Sequence, residues 1–340
     1  MKKIFNVAVI GCSGMGKAHI KGVIVNENAH LYALCDSAPE RIKEANDEFK
    51  PERAVLDYRE LVSDPNIDAV ILVVPDQVHL EMTEAFLRAG KAVLCEKPMA
   101  LTPEECEKMI AVERETNGKL MIGQVCRFTP AFIKAKELIS SGAIGELTFV
   151  ESEYAHNYGV ARGYNDWRVV PERHGFIGGG CHAVDLLRWI AGNPTEVYAH
   201  ANHKCLTDWP VDDTTIAIYK FPNDVIGKVF CSIGCKRNYT MRSVFYGTKG
   251  TIICDNKSEF LTLFQCDEEC SHESYTTPKE IPIDVNNHNT TGEIETFLNA
   301  LAAGEPMPVS SIEGASTVAV CYATVMSTKE GKPLSIKYPV

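Results

Sequence analysis

The chain has 340 residues, 45% hydrophobic and 23% charged, enough for two domains with separate apolar cores. Lys and Arg number 34 against 45 Asp and Glu, a net charge of −11, which argues against a nucleic-acid or anionic-membrane surface because no basic stripe exists to neutralise phosphates. No apolar run is long enough to cross a bilayer, and the Met1-Lys2-Lys3 start leads straight into a strand-like alternation, so neither a membrane span nor a signal peptide is expected.

Residues 4–10 read as a strand and end in Gly11-Cys12-Ser13-Gly14-Met15-Gly16, followed by a helix over 17–25. Strand, glycine turn and helix in that order are the context in which a glycine motif points to a dinucleotide, with the helix N-terminus offering free N–H groups to a pyrophosphate. The middle position, where backbone approaches phosphate, is Ser13, with Gly14 beside it to keep the loop permissive. A second strand, 30–35, ends in Asp36, twenty positions past Gly16, where a carboxylate accepts hydrogen bonds from ribose hydroxyls and repels a 2′-phosphate. NAD is therefore expected over NADP.

A helix over 39–49 and a short strand at 54–55 come next. Residues 68–74 form an almost continuous apolar run, the pattern of a parallel strand covered on both faces, and end at Pro75-Asp76. After a helix over 78–89, the apolar run 92–95 stops abruptly at Glu96-Lys97-Pro98. A strand ending in charge delivers those side chains to the carboxyl edge of the sheet, where open α/β sheets bind ligands. Thr102 caps the next helix, Gly118 lies past its end, and 119–125 supplies a sixth strand, completing a doubly wound parallel sheet over 1–125.

From 126 onward the texture changes. A helix over 130–140 leads into an alternating strand, 146–156, and further strands are expected at 196–203, 214–221, 226–235, 242–246, 251–254 and 260–264. Alternation and hairpin-like spacing suggest a mostly antiparallel sheet in a second α/β domain, 126–340. Between these strands lie Asp166-Trp167-Arg168, the patch Gly178-Gly179-Gly180 and a helix over 183–191; helices near 293–303 and 312–329 close the chain.

Thirteen cysteines lie mostly in apolar stretches, where cysteine acts as a small hydrophobe, so a reducing cytoplasm without disulfides is expected. Cys266, Cys270 and His272 have a spacing found in some zinc sites, but no second ligand pair accompanies them; an acidic hairpin turn and no metal is the preferred reading.

Taken together, Gly11 to Gly16, Asp36, Pro75 with His79, Glu96-Lys97-Pro98, Trp167-Arg168, Gly180-Cys181-His182 with Asp185, and Phe245-Tyr246-Gly247-Thr248-Lys249-Gly250 resemble the Gfo/Idh/MocA family of NAD(P)-dependent sugar and cyclitol dehydrogenases. The resemblance implies an N-terminal Rossmann domain and a C-terminal α/β domain with a large open sheet, through which homodimers or homotetramers form. It implies that Pro75, His79, Glu96, Lys97, Trp167 and Arg168 join the glycine loop and Asp36 at the cofactor. It also implies that Lys97 and His182 serve the substrate hydroxyl while a C–H faces nicotinamide C4. Arg127, Tyr154, His156, Asn165, Arg168 and His174 are placed to offer polar partners to a sugar or polyol.

One position departs from the pattern: many members carry an aspartate four residues before the histidine, where this chain has Gly178. Tyr154, His156, Asp166 and Asp185 are candidates to replace it. The expected reaction is hydride transfer between NAD(P) and a secondary alcohol or ketone of a sugar, sugar derivative or inositol. An NAD-recycling glycosidase that oxidises transiently and eliminates, and a non-enzymatic nucleotide-binding regulator, are the alternatives.

Overall fold

In the computed structural model of the chain, residues 3–266 and 278–339 are described. Two compact units emerge: one of Met1–Val125, Asn289–Ala315 and Pro339–Val340, the other of Cys126–His288 and Ser316–Tyr338. Residues 289–315, read from the sequence as part of the second domain, thus join the first unit.

The first unit alternates β1 (Phe5–Ile10), α1 (Gly14–Ile24), β2 (Ala29–Cys35), α2 (Pro39–Phe49), β3 (Arg53–Val55), α3 (Arg59–Val62), β4 (Ala69–Leu72), α4 (His79–Arg88), β5 (Ala92–Glu96), α5 (Pro103–Thr116) and β6 (Leu120–Gly123). The strands are all parallel, in the order β3-β2-β1-β4-β5-β6. This is the doubly wound order in which the carboxyl ends of β1 and β4 diverge to open a ligand crevice. Strands β4, β5 and β6 are buried at every position, as strands covered on both faces must be.

The second unit contains α6 (Pro130–Ser140), β7 (Leu147–Ala155), α7 (Gly175–Gly178), α8 (Cys181–Ala191), β8 (Glu196–Asn202), β9 (Thr214–Lys220), β10 (Ile226–Ser232), β11 (Thr240–Gly247), β12 (Gly250–Asp255), β13 (Phe260–Gln265) and β14 (Lys279–Pro282). The chain ends with α9 (Thr290–Ala303), α10 (Ser311–Glu330) and β15 (Leu334–Ser335). The nine-stranded sheet has the order β14-β13-β12-β11-β7-β10-β9-β8-β15 and is antiparallel except for the β7–β10 pair. Helices α6, α7 and α8 pack on one side of it. Strand β9 shows the consequence, with Thr215, Ala217 and Tyr219 buried and Ile216 and Ile218 exposed.

Helix α9 belongs to the first unit because it packs on α1. The contact is close: a Cβ at Gly22 of α1 would lie 2.7 Å from the Ile294 side chain, so the two helices approach over a glycine. None of the described helices is long and apolar enough to cross a membrane.

Candidate functional site

Gly11, at the end of β1, has φ of +99°, and a Cβ there would stand 2.0 Å from the Val73 carbonyl oxygen. A Cβ on Gly16 would lie 1.9 Å from the Gly11 carbonyl oxygen, so α1 can seat on the turn only with glycine there. Gly14 differs, since a Cβ would meet nothing within 4 Å: the loop is open on that side. Ser13 is the exposed N-cap and makes no side-chain cap, so the first N–H groups of α1, which lack partners inside the helix, are not claimed by it. Met15 is half-buried beside it.

Asp36 stands at the end of β2, buried, where Oδ2 accepts the Cys12 N–H and Oδ1 the Ala38 N–H, each at 2.9 Å. The carboxylate therefore shapes the glycine turn besides standing where a ribose would bind. Arg41 approaches it to 3.9 Å. These features fit a dinucleotide: a turn closed to side chains where helix meets strand, open where phosphates lie, with a helix N-terminus and a carboxylate beyond it.

At the end of β5 the Glu96-Lys97-Pro98 turn is braced from two sides by buried histidines. His19 Nε2 lies 2.8 Å from Glu96 Oε1, and Glu96 Oε2 accepts the Lys97 N–H at 3.1 Å. Burial works against the Glu96 carboxylate, but the His19 hydrogen bond and charge and the Lys97 charge outweigh it, holding its pKa below the ordinary range. His79 reaches the Pro98 carbonyl oxygen through Nδ1 (2.9 Å) and the Val74 carbonyl oxygen through Nε2 (3.1 Å). His79 is wholly buried, and both ring nitrogens tie the β4 and β5 loops together. Pro75 opens the short 3₁₀ turn before α4.

In the second unit, His182 lies in the first turn of α8, buried, with its ring stacked on Tyr154 (centroids 5.8 Å apart) and on His288 (5.9 Å). Its Nδ1 is 3.3 Å from Cys126 Sγ, which also lies 3.3 Å from Met241 Sδ. The Tyr154 hydroxyl bonds His156 Nδ1 at 3.1 Å and the Tyr158 hydroxyl at 3.0 Å, and the Tyr239 hydroxyl lies 3.2 Å from His288 Nε2. Burial first, then the neighbouring Tyr158 and Tyr239, raise the Tyr154 phenol well above its usual value, so it stays a hydrogen-bond donor. Tyr154 and His156 are thus brought together with His182 as the sequence suggested. Cys126, Tyr158, Tyr239 and His288 complete the group without having been singled out, since long-range pairing of strands, not spacing, gathers them.

The glycine patch has a packing reason. A Cβ at Gly179 would strike Tyr154 and Tyr158 at 2.6 Å, and one at Gly178 would lie 2.3 Å from the Arg173 guanidinium. The place of a side chain at 178 is therefore taken by Arg173, which also lies over Tyr158 and Trp167. Arg168 stacks on Trp167 at 4.3 Å and donates to the Ala161 carbonyl at 2.9 Å. His174 caps α7 through Nδ1, accepting the Phe176 N–H.

Two candidates receive other tasks. Arg127 makes a buried bidentate pair with Asp185 through Nε (2.8 Å) and Nη2 (2.7 Å), and Thr317 donates to the same carboxylate at 2.9 Å. The buried bidentate pair engages Arg127, expected from the sequence as a polar partner of the substrate, and Asp185, expected as a candidate for the missing aspartate, with each other. Asn165 is exposed at φ of 53°, and Asp166 is exposed and paired with Arg162.

Eleven described cysteines are free. The zinc and hairpin readings of Cys266, Cys270 and His272 fall largely on 267–277, outside the described residues.

A parallel sheet in this order, with its glycine turn and terminal Asp36, defines an NAD-binding Rossmann domain joined to a second α/β unit. Comparison with known families agrees: residues 5–124 match the model described as "Oxidoreductase family, NAD-binding Rossmann fold", and 132–253 match the "GFO/IDH/MocA C-terminal domain". The chain belongs to the Gfo/Idh/MocA family of oxidoreductases. It is 27% identical to myo-inositol 2-dehydrogenase of Thermotoga maritima, over 97% of this chain and 98% of the relative. It is 28% identical to inositol 2-dehydrogenase of Rhizobium meliloti, over 96% and 98%. Among solved structures, levoglucosan dehydrogenase in complex with NADH and levoglucosan superposes with a TM-score of 0.88 at 24% identity, over 98% of this chain and 100% of that one.

Proposed function

We propose that the chain is an NAD-dependent dehydrogenase acting on a secondary alcohol of a cyclic polyol or sugar, of which inositols are the first to test. The observation that carries this reading is the braced Glu96-Lys97-Pro98 turn at the carboxyl end of β5, a lysine whose two neighbours are each anchored by a buried histidine. Full-length similarity to inositol 2-dehydrogenases supports the substrate class.

Gly11, Ser13, Gly14, Met15, Gly16 and Asp36 hold the dinucleotide, whose nicotinamide supplies the hydride chemistry. Lys97 and His182 exchange the proton of the substrate hydroxyl. His182 Nδ1 lies 3.3 Å from Cys126 Sγ, which fixes the orientation of the ring that exchanges that proton. Tyr154 and His156 offer hydroxyl and imidazole to the ring hydroxyls, and the family resemblance assigns Trp167 and Arg168 to the cofactor.

Lys97→Ala and His182→Ala each lower kcat by about 10²-fold or more while NAD affinity, read by fluorescence titration, stays near wild type. Wild-type turnover in either variant removes that residue from the mechanism. A panel of inositols, sugars and glycosides is assayed for both NADH and released aglycone; glycoside cleavage without net NADH would replace the dehydrogenase with an NAD-recycling glycosidase.

The same reading includes a second copy of the chain. Ile216, Ile218, Ile226 and Tyr246 are exposed on the nine-stranded sheet, on the side opposite the buried Thr215, Ala217 and Tyr219 in β9. An open sheet face on which exposed apolar side chains stand beside the Lys228–Glu151 and Arg242–Glu151 ion pairs supports a homodimer or homotetramer. The free cysteines support a cytoplasmic setting.

A further inference from the structure

Beneath the Lys97 turn, three titratable side chains from distant parts of the chain come together: His19 from α1, Glu96 from β5 and Glu293 from α9. Their ligand atoms all lie within 4.8 Å of one another, and His19 and Glu293 have no exposed surface. Glu96 is accounted for by His19 and by the Lys97 N–H. Glu293 is not: neither of its carboxyl oxygens has a hydrogen-bond partner among the described residues. The charged or titratable groups facing it are His19 from α1 and Glu96 and Lys97 from the end of β5.

Two carboxylates at this distance in a dry site cannot both ionise, because each pays for desolvation and for the other's charge. A buried carboxyl without partners sheds that cost by keeping its proton. We propose that His19, Glu96 and Glu293 form a positioning set for Lys97 in which Glu96 is the carboxylate and Glu293 the carboxylic acid, so that one negative charge, not two, faces the lysine. Burial, then the Glu96 charge, against the opposing pull of Lys97, raise Glu293 well above the usual carboxyl range, in agreement with the geometry. A second carboxylate would hold the lysine as an ammonium to higher pH and withdraw it from proton exchange; the acid avoids that while filling the space between α1 and β5. The role of Lys97 is taken from the reading above, but Glu293's proton stands apart from it.

The test has arms that need no turnover. Infrared difference spectra of wild type against Glu293→Gln, at neutral pH, show the carbonyl stretch of one buried carboxylic acid; absence of that band overturns the proposal. Stability supplies the sign. In the unfolded chain a glutamate loses its proton near its ordinary value, while folded Glu293 keeps it, so wild type loses stability as pH rises from that value through the folded one. Glu293→Gln carries no such loss: its Tm relative to wild type is lowest in acid and rises toward neutral pH, and a difference flat with pH counts against the proposal.

In the pH profile of kcat/KM, Glu96→Gln moves the acid limb down by about one unit because it removes the single charge, whereas Glu293→Gln leaves the midpoint in place. An equal shift in both variants would mean that Glu293 is ionised; no shift in Glu96→Gln would mean the set does not act on Lys97. A stoichiometric metal ion in purified protein that is lost in Glu293→Gln would replace the proton with a cation and sink the proposal. If Lys97→Ala retains full turnover, the role assigned to Lys97 fails while the infrared and stability arms still report on Glu293.

Discussion

A methyl group at position 16 would sit 1.9 Å from the Gly11 carbonyl oxygen, and one at position 14 would touch nothing. Gly16→Ala therefore lowers Tm and removes NAD binding, because α1 must lift off the turn, whereas Gly14→Ala folds as wild type; thermal melts with and without NAD separate the two. Asp36 holds the Cys12 and Ala38 N–H groups and, in the proposed reading, also excludes a 2′-phosphate. NAD binds more tightly than NADP, and Asp36→Ser shifts the ratio of dissociation constants toward NADP by about tenfold or more, as read by cofactor titration; a wild-type preference for NADP would refute the assignment. The glycines and Asp36 were legible because their roles depend on backbone conformation within one βαβ unit. The fate of Arg127 was not: nothing in its local sequence reveals that Asp185 takes up its guanidinium.

At the level of elements, α5 shows how local chemistry fixes a boundary. Thr102 accepts the Glu105 N–H at 3.2 Å, and the Glu105 carboxylate accepts the Thr102 N–H at 3.2 Å and the Leu101 N–H at 3.1 Å. Thr102→Ala costs about 1 kcal/mol in chemical denaturation with little effect on kcat, since the box closes a helix end and does not touch Lys97. The strands of the first sheet were legible from their apolar runs, and the long strands of the second from alternation. Helix α9 was placed within three residues of its start, Thr290. Its partner, α1, was not foreseen, because an apolar helix stripe says that it packs but not on what. The short β14 and β15 escaped notice, since two to four residues carry no periodicity.

For the whole molecule, the proposed binding of a second copy is tested at the exposed Ile216 and Ile218 of β9. Ile218→Glu yields a monomer by light scattering at concentrations where wild type is an oligomer, with NAD affinity unchanged; an unaltered mass would move the interface elsewhere. Length, charge balance and the end-to-end run of motifs made the two-unit architecture and the family readable before any coordinates. The return of 289–315 to the first unit was not readable, because sequence order gives no sign that a late helix packs against the first one.

The sequence by itself determined the glycine turn, the carboxylate that follows it, the strand that delivers Lys97 and the helix over 183–191 that follows His182. Each depends on residues close together in the chain, whose sterics and capping act locally. Tertiary structure alone decided which further side chains surround them: His19 and Glu293 about Glu96, Cys126 and His288 about His182, Arg173 in the space beside Gly178. Those neighbours are joined by burial, and burial is a property of the packed chain, not of any stretch of it.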